Sequence, residues 1–268
     1  MSVIVKHNYG FFSCCSVKLS KIVQYMNANK KLPDKVDSSG LFGWYKINKT
    51  GDITYDYFQH YDEIKDVEYI SKIIFHTRDT QFSDYSKINY NILGPIIKKY
   101  FTPSIEIEKI IDTIEKKYKI DYENTCVLFY RGNDKKNETK LCSYEEYTKH
   151  ADLIIKKNAN IKFLIQSDET EFIEFAMKKY PNSFYFKDEI RHIKKCNSTV
   201  DKVMKDKNYI FSKYYLGITK IMAKCKYIVC GSGNCSLWIM LYRGNNKNVI
   251  QYLDNKYDKI PGKWISTI

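Results

Sequence analysis

The apolar run Cys126-Val127-Leu128-Phe129-Tyr130 ends abruptly in the charged turn Arg131-Gly132-Asn133-Asp134-Lys135. A strand that delivers an arginine into a turn at a sheet edge can hold a phosphorylated ligand, because the planar guanidinium meets two oxygens at once. Arginine is scarce here: Arg78, Arg131, Arg191 and Arg243 stand among 44 basic residues, so general surface charge falls to lysine. The contrast singles out Arg131 as an arginine used for its fork; the plainer reading is a surface pair with a nearby acid.

Two further turns follow apolar runs in the same half of the chain. Ser167-Asp168-Glu169 follows Ile161 to Gln166, and Asp168 there fits a helix N-cap as well as a substrate contact. Gly231-Ser232-Gly233-Asn234 follows Tyr227 to Cys230 and opens an apolar helical pattern. Its N–H groups and hydroxyl could receive phosphate oxygens at the positive end of a helix, although Gly-Ser-Gly between strand and helix is also an ordinary structural turn. The wording of Tyr130-Arg131-Gly132-Asn133 recurs at Tyr242-Arg243-Gly244-Asn245, where it ends a helix and Gly244 reads as a C-cap.

These turns need a frame to bring them together. After residue 120 the pattern alternates: strand 126–130, helix 144–158, strand 161–166, helix 171–180, strand 183–186, a polar loop 187–207, helix 209–224, strand 227–230, helix 234–242. Such alternation predicts a parallel sheet covered on both faces, with every strand ending at one edge. Tyr214 and Tyr215 read as helix core. The first 40 residues read strand, turn, helix, strand, with Val17, Leu19, Ile22, Val23 and Met26 near helical spacing. Residues 41–90 are irregular and rich in aromatics, which suit a sugar site but pack the core more often. A short helix over 96–101 precedes a strongly periodic one from Ser104, the expected N-cap, to Tyr118. The chain thus divides into an α/β unit at 1–120 and another at 121–268.

Composition narrows the options. At 268 residues with 44% apolar content the chain can bury a substantial core. No run approaches a membrane span, and Ser2 to Lys6 opens a strand-like stretch with no signal-peptide pattern, so a cytoplasmic protein is expected. The eight cysteines form no CxxC pair and have apolar neighbours, which points to reduced core thiols and no metal site. The net charge of +13 invites a nucleic-acid reading, yet the lysines are scattered in pairs among acids and no nucleic-acid motif is present. The abundance of Lys, Asn, Ile and Tyr suits an A/T-rich genome, such as that of a large DNA virus or a protist. No nucleic-acid partner is expected.

The order of Pro95 to Phe101 with Pro103, the periodic helix, Tyr130 to Lys135, Gln166 to Glu169 and Cys230 to Asn234 resembles the fucosyltransferase superfamily, nearest the α-1,6 enzymes and also similar to the α-1,2 enzymes. A fainter likeness at Tyr9-Gly10-Phe11-Phe12-Ser13 falls where that family has a glycine-rich loop. The resemblance implies a GT-B-like α/β fold, two Rossmann-type parallel-sheet domains facing a cleft. It implies an inverting, metal-independent transferase that takes a nucleotide sugar, GDP-fucose in the family, as co-substrate and needs no other cofactor. The acceptor would be a glycan or protein hydroxyl.

By position, Arg131 would bind the diphosphate and stabilise the charge growing on the leaving group. Asp134 and Lys135 match the family's Asp-Lys. Glu138 lies one position from its acidic residue and takes the role of base toward the acceptor hydroxyl. Gly10, Phe12, Ser167, Asp168, Ser232, Gly233 and Asn234 would line the donor site. Phe129 and Gly217 stand where the family has a histidine and an aspartate that help to recognise guanine, and Gly132 replaces a second arginine. A UDP-linked donor, or a relative that binds nucleotides or glycans without turnover, is therefore the alternative.

Overall fold

The computed structural model describes residues 2–46, 49–187, 189, 191–257 and 260–268. A parallel strand pair, β1 (Ser2–His7) and β2 (Lys35–Leu41), is joined through α1 (Phe11–Asn29). Single turns of 3-10 helix and the short α2 (Thr77–Gln81) fill the irregular stretch, followed by α3 (Tyr90–Phe101) and α4 (Ile105–Tyr118). Then come β3 (Thr125–Tyr130), α5 (Tyr144–Lys157), β4 (Lys162–Ser167), α6 (Thr170–Lys179), β5 (Ser183–Phe184), α7 (Val200–Val203), α8 (Asn208–Lys224), β6 (Tyr227–Gly231), α9 (Asn234–Arg243), β7 (Val249–Asn255) and β8 (Ile260–Ser266).

The second half forms a six-stranded sheet in the order β5-β4-β3-β6-β7-β8, parallel except for β8. The first half carries the βαβ arrangement in its smallest form, one strand pair. In the central strand β3 every residue is buried, because successive side chains enter opposite layers. Val127 and Phe129 face the layer that holds α8 and α9, whereas Cys126, Leu128 and Tyr130 pack toward Tyr147, Ala151 and Phe172 of α5 and α6. The first layer is continuous with α1, β1 and α3, so one apolar core runs under both sheets.

Local departures from the expected elements have specific causes. Helix α3 starts six residues earlier than expected; Pro95 inside it removes one donor, and the carbonyl that loses it, on Asn91, belongs to a solvent-exposed residue. Asn89 caps this helix through the Ile92 N–H at 3.2 Å. Ser104 stands at the N-cap of α4 as expected, but its hydroxyl donates to the Asp56 carbonyl, 3.4 Å away, and makes no cap bond. The strand expected at 183–186 pairs over two residues only, and α7 interrupts the polar loop. Strands β7 and β8 extend the sheet beyond the expected elements.

Lys18 on α1 lies inside the core with 1% of its surface exposed. Its ammonium sits 5.7 Å from the Phe101 ring, and burial pulls its pKa from 10.5 down to about 8 against the opposing pull of Asp52. Between pH 8 and 10.5 the unfolded chain therefore holds a proton that the folded chain has lost, so folding stability rises with pH across that window. Below pH 8 both states are charged and the folded state carries the whole cost, about 3 kcal/mol. Lys18→Met is expected to raise the unfolding free energy at pH 7 by about 2 kcal/mol, a gain that shrinks as the pH rises from 8 to 10.5. Urea denaturation of both proteins across that range checks it.

Candidate functional site

The register Phe129↔Gln166 and Phe129↔Cys230 aligns the carboxyl ends of β3, β4 and β6, so their three following turns converge at one sheet edge. They open into a cavity of about 490 Å³ between the two halves of the chain. Arg131, Asp134, Lys135, Glu138, Ser167, Asp168, Ser232, Gly233 and Asn234 all line it, and so do Gly10 and Phe12 from the first half.

Arg131 is held on every side. Its Nε donates to Asp168 Oδ2 at 3.0 Å, one terminal nitrogen to Asp134 Oδ1 at 3.2 Å, and the other to Cys235 Sγ at 3.1 Å. Burial works against its charge, but Asp168 first, then Cys235 and Asp134, more than offset it and lift the pKa well above the ordinary value. Asp168 lines the cavity, and of the two uses considered for it the helix cap is ruled out, since Glu169 is the N-cap of α6. The Asp168 carboxylate spans the Arg131 Nε and the Gly132 N–H, the latter at 2.9 Å.

The arginine turn is clamped to the following one by further bonds. The Asn133 N–H donates to Glu169 Oε1 at 2.8 Å, the Asn133 amide donates to the Asp168 carbonyl at 2.7 Å, and Tyr144 Oη donates to Glu169 Oε2 at 2.6 Å. Asn133 takes φ 27°, a conformation these bonds enforce. A Cβ on Gly132 would lie 1.9 Å from Glu169 Oε1, so only glycine lets the two turns approach this closely. That contact is the physical reason no second arginine fits at 132.

Lys135 pairs with Glu138, and its ammonium lies 5.0 Å over the Phe82 ring. The glycine turn differs from its expected use. Ser232 spends both its N–H and its hydroxyl on the Tyr252 carbonyl, at 3.0 and 3.1 Å, and the Gly233 N–H donates to Tyr85 Oη at 3.1 Å. These groups shape the turn. The donors left at this edge of the cavity are the first-turn N–H groups of α9, at Asn234, Cys235 and Ser236, which helix geometry leaves without intrahelical partners. Gly233, at φ 151°, starts the helix, and a Cβ there would lie 2.8 Å from Lys135 Cε.

The two N-terminal residues expected at the donor site, Gly10 and Phe12, bring no polar side chain. Gly10 is the N-cap of α1 with open space around its Cα, and Phe12 packs its ring between Tyr215 and Trp238. Tyr215, expected as core only, also reaches the cavity wall. Gly217 does not. It lies at the crossing of α8 with α4, where a Cβ would come within 3.3 Å of Ile111 Cγ1. In this structure position 217 faces α4 and lies outside the cavity lining.

Sequence reasoning missed Arg78, Phe82 and Tyr257 at the outer end of the cavity. The Arg78 guanidinium stacks 4.3 Å from the Tyr257 ring, and Tyr257 contacts Phe82 at 6.3 Å between centroids. The scarcity of arginine was the available signal: Arg191 is bound to Asp201 and Asn208, Arg243 to backbone carbonyls, and Arg131 to two aspartates, whereas Arg78 makes no carboxylate pair among the described residues. No group of three His, Cys, Asp or Glu side chains among the described residues could hold a metal ion, and no helix of the described residues is long and apolar enough to cross a membrane.

No family model and no curated protein matches this sequence. Solved structures do. A NodZ α-1,6-fucosyltransferase soaked with GDP-fucose aligns over 100% of this chain and 99% of its own, with a TM-score of 0.60 at 12% identity. The chain has the fold of these fucosyltransferases. NodZ from Bradyrhizobium aligns over 100% of this chain and 99% of its own with a TM-score of 0.56 at 12% identity. NodZ co-crystallised with GDP gives 0.54 at 11% identity, over 99% and 98% of the two chains. The GT-B-like α/β architecture implied by the resemblance is thus the fold of the chain, and it holds over the full length of both molecules.

Proposed function

We propose that this protein is a glycosyltransferase that moves a sugar from a nucleoside diphosphate donor, with GDP-fucose as the first donor to test because fucosyltransferase structures of the same fold were obtained with GDP-fucose and GDP. The observation that carries the proposal is the fully oriented Arg131 guanidinium, which shares one cavity with the first-turn N–H groups of α9. A diphosphate is stabilised by a fixed planar cation on one side and helix N–H donors on the other, and that stabilisation grows as the sugar–oxygen bond breaks.

In this reading Asp168 and Asp134 are positioning residues that set the fork in place. Lys135 adds charge beside the leaving group. Glu138, held by Lys135, receives the proton of the acceptor hydroxyl. The acceptor would enter at the outer end, where Phe82 and Tyr257 offer ring faces to a sugar and Arg78 offers a cation.

The test is thermal stabilisation by GDP, UDP, ADP and CMP, with Arg131→Ala as control. A shift with GDP that the variant loses supports the fucosyltransferase reading, and a shift with UDP keeps the transferase and changes the donor. No shift with any nucleotide removes the catalytic assignment of Arg131 and leaves a module that binds glycans.

A further inference from the structure

We propose that Gln166 reads the nucleobase of the donor, an inference that rests on the nucleotide-sugar reading above. Gln166 is the penultimate residue of β4 and pairs in register with Phe129, so both side chains enter the same layer at the carboxyl edge of the sheet. It lines the cavity with 2% of its surface exposed, and its Oε1 has no hydrogen-bond partner. A buried amide oxygen without a partner costs stability, which makes it an exception among interior polar groups.

The surrounding wall explains what such an amide could serve. Neighbouring polar side chains on the cavity wall are engaged: Arg191 with Asp201 and Asn208, Glu189 with Lys117 and Tyr118, and Ser167 with the Glu169 N–H. Phe129, Phe211 and Val200 make up the apolar surface beside them. A buried amide whose oxygen has no partner, on a wall that also carries Phe129, Phe211 and Val200, suits a flat heteroaromatic ring whose edge carries a donor beside an acceptor. A glutamine meets such an edge at two points, through its oxygen and its NH₂ group, and a half-turn of the amide exchanges the two. Arg131 and α9 then hold the diphosphate, which every nucleotide shares, and Gln166 supplies the contact that differs between bases.

The test is calorimetric binding of GDP, UDP, ADP, CDP and base-free pyrophosphate to the wild type and to Gln166→Met, which keeps the length and loses the amide. The wild type is expected to favour one nucleotide over the other three and over pyrophosphate. Gln166→Met is expected to weaken that nucleotide about tenfold or more, to leave pyrophosphate binding unchanged, and to raise the melting temperature of the free protein by a few degrees. The last readout separates this role from a structural one, since loss of a structural hydrogen bond lowers the melting temperature. Equal binding of all four nucleotides by the wild type, or an unchanged preference in Gln166→Met, overturns the inference and leaves the donor reading intact. Failure of the wild type to bind any of the five overturns both.

Discussion

Arg131→Lys is expected to lower kcat/KM for sugar transfer by about 10³-fold while leaving the melting temperature within a few degrees of the wild type. Lysine keeps the charge between Asp168 and Asp134, so neither carboxylate is left facing an empty site. What it loses is the fork: the guanidinium uses three nitrogens to fix its plane, and a single ammonium cannot satisfy Asp168, Asp134 and Cys235 while facing a ligand. Loss of one preorganised donor at a developing anion costs about 10²–10³-fold in rate, and loss of bidentate phosphate geometry falls at the upper end. Arg131→Ala gives at least the same loss of activity but adds a stability penalty of about 3 kcal/mol, because the buried Asp168 carboxylate loses its cation. Steady-state kinetics with saturating donor, together with thermal melts, check both. A lysine variant with near wild-type kcat would place the leaving-group stabilisation elsewhere.

Trp238→Ala is expected to cost about 4 kcal/mol of unfolding free energy, near the top of the range for single core truncations. The indole is fully buried on α9, packs against Phe12 of α1 and Phe101 of α3, and donates its Nε1–H to Ser16 Oγ at 2.9 Å. Ser16 in turn donates to Asn234 Oδ1 at 2.7 Å, so the same bonds tie the cavity's helix start to the first half of the chain. Trp238→Phe keeps most of the packing and loses the hydrogen bond, for an expected cost of about 1–2 kcal/mol. Urea denaturation with unchanged slopes checks the pair; equal costs would assign the stabilisation to the hydrogen bond and not to the ring.

The strands and helices after residue 120 were legible because each apolar run ends in a turn signal and each helix carries its own period. Strand β7 was not, because Gln251, Asp254 and Asn255 are buried polar residues that interrupt the apolar pattern. Gln251 is there to bond the Tyr85 N–H and the Ser83 carbonyl, partners more than 160 residues away. Strand β8 contains Pro261-Gly262, which reads as a turn; as the edge strand it tolerates the missing donor.

In the site, Arg131 announced itself by its place at a strand end. The use of Asp168 depended on the pairing of β3 with β4, and the inward bonds of Ser232 and Gly233 depended on Tyr252 and Tyr85, which no local pattern reveals. That Gly217 lies against α4 and away from the cavity was hidden for the same reason. Spacing along α8 does not say which face meets α4.

The unbroken apolar layer beneath both sheets also bears on how this protein can be taken apart. Severed near residue 120, the C-terminal half would present Trp238 without the Phe12 and Phe101 rings that cover it, and the N-terminal half would keep only two paired strands to hold its aromatic cluster. The halves are not interchangeable cassettes. Swapping one with that of a relative to redirect donor or acceptor would require the α1–α9 interface to be carried across with it, whereas Arg131 and Tyr257 lie outside that layer.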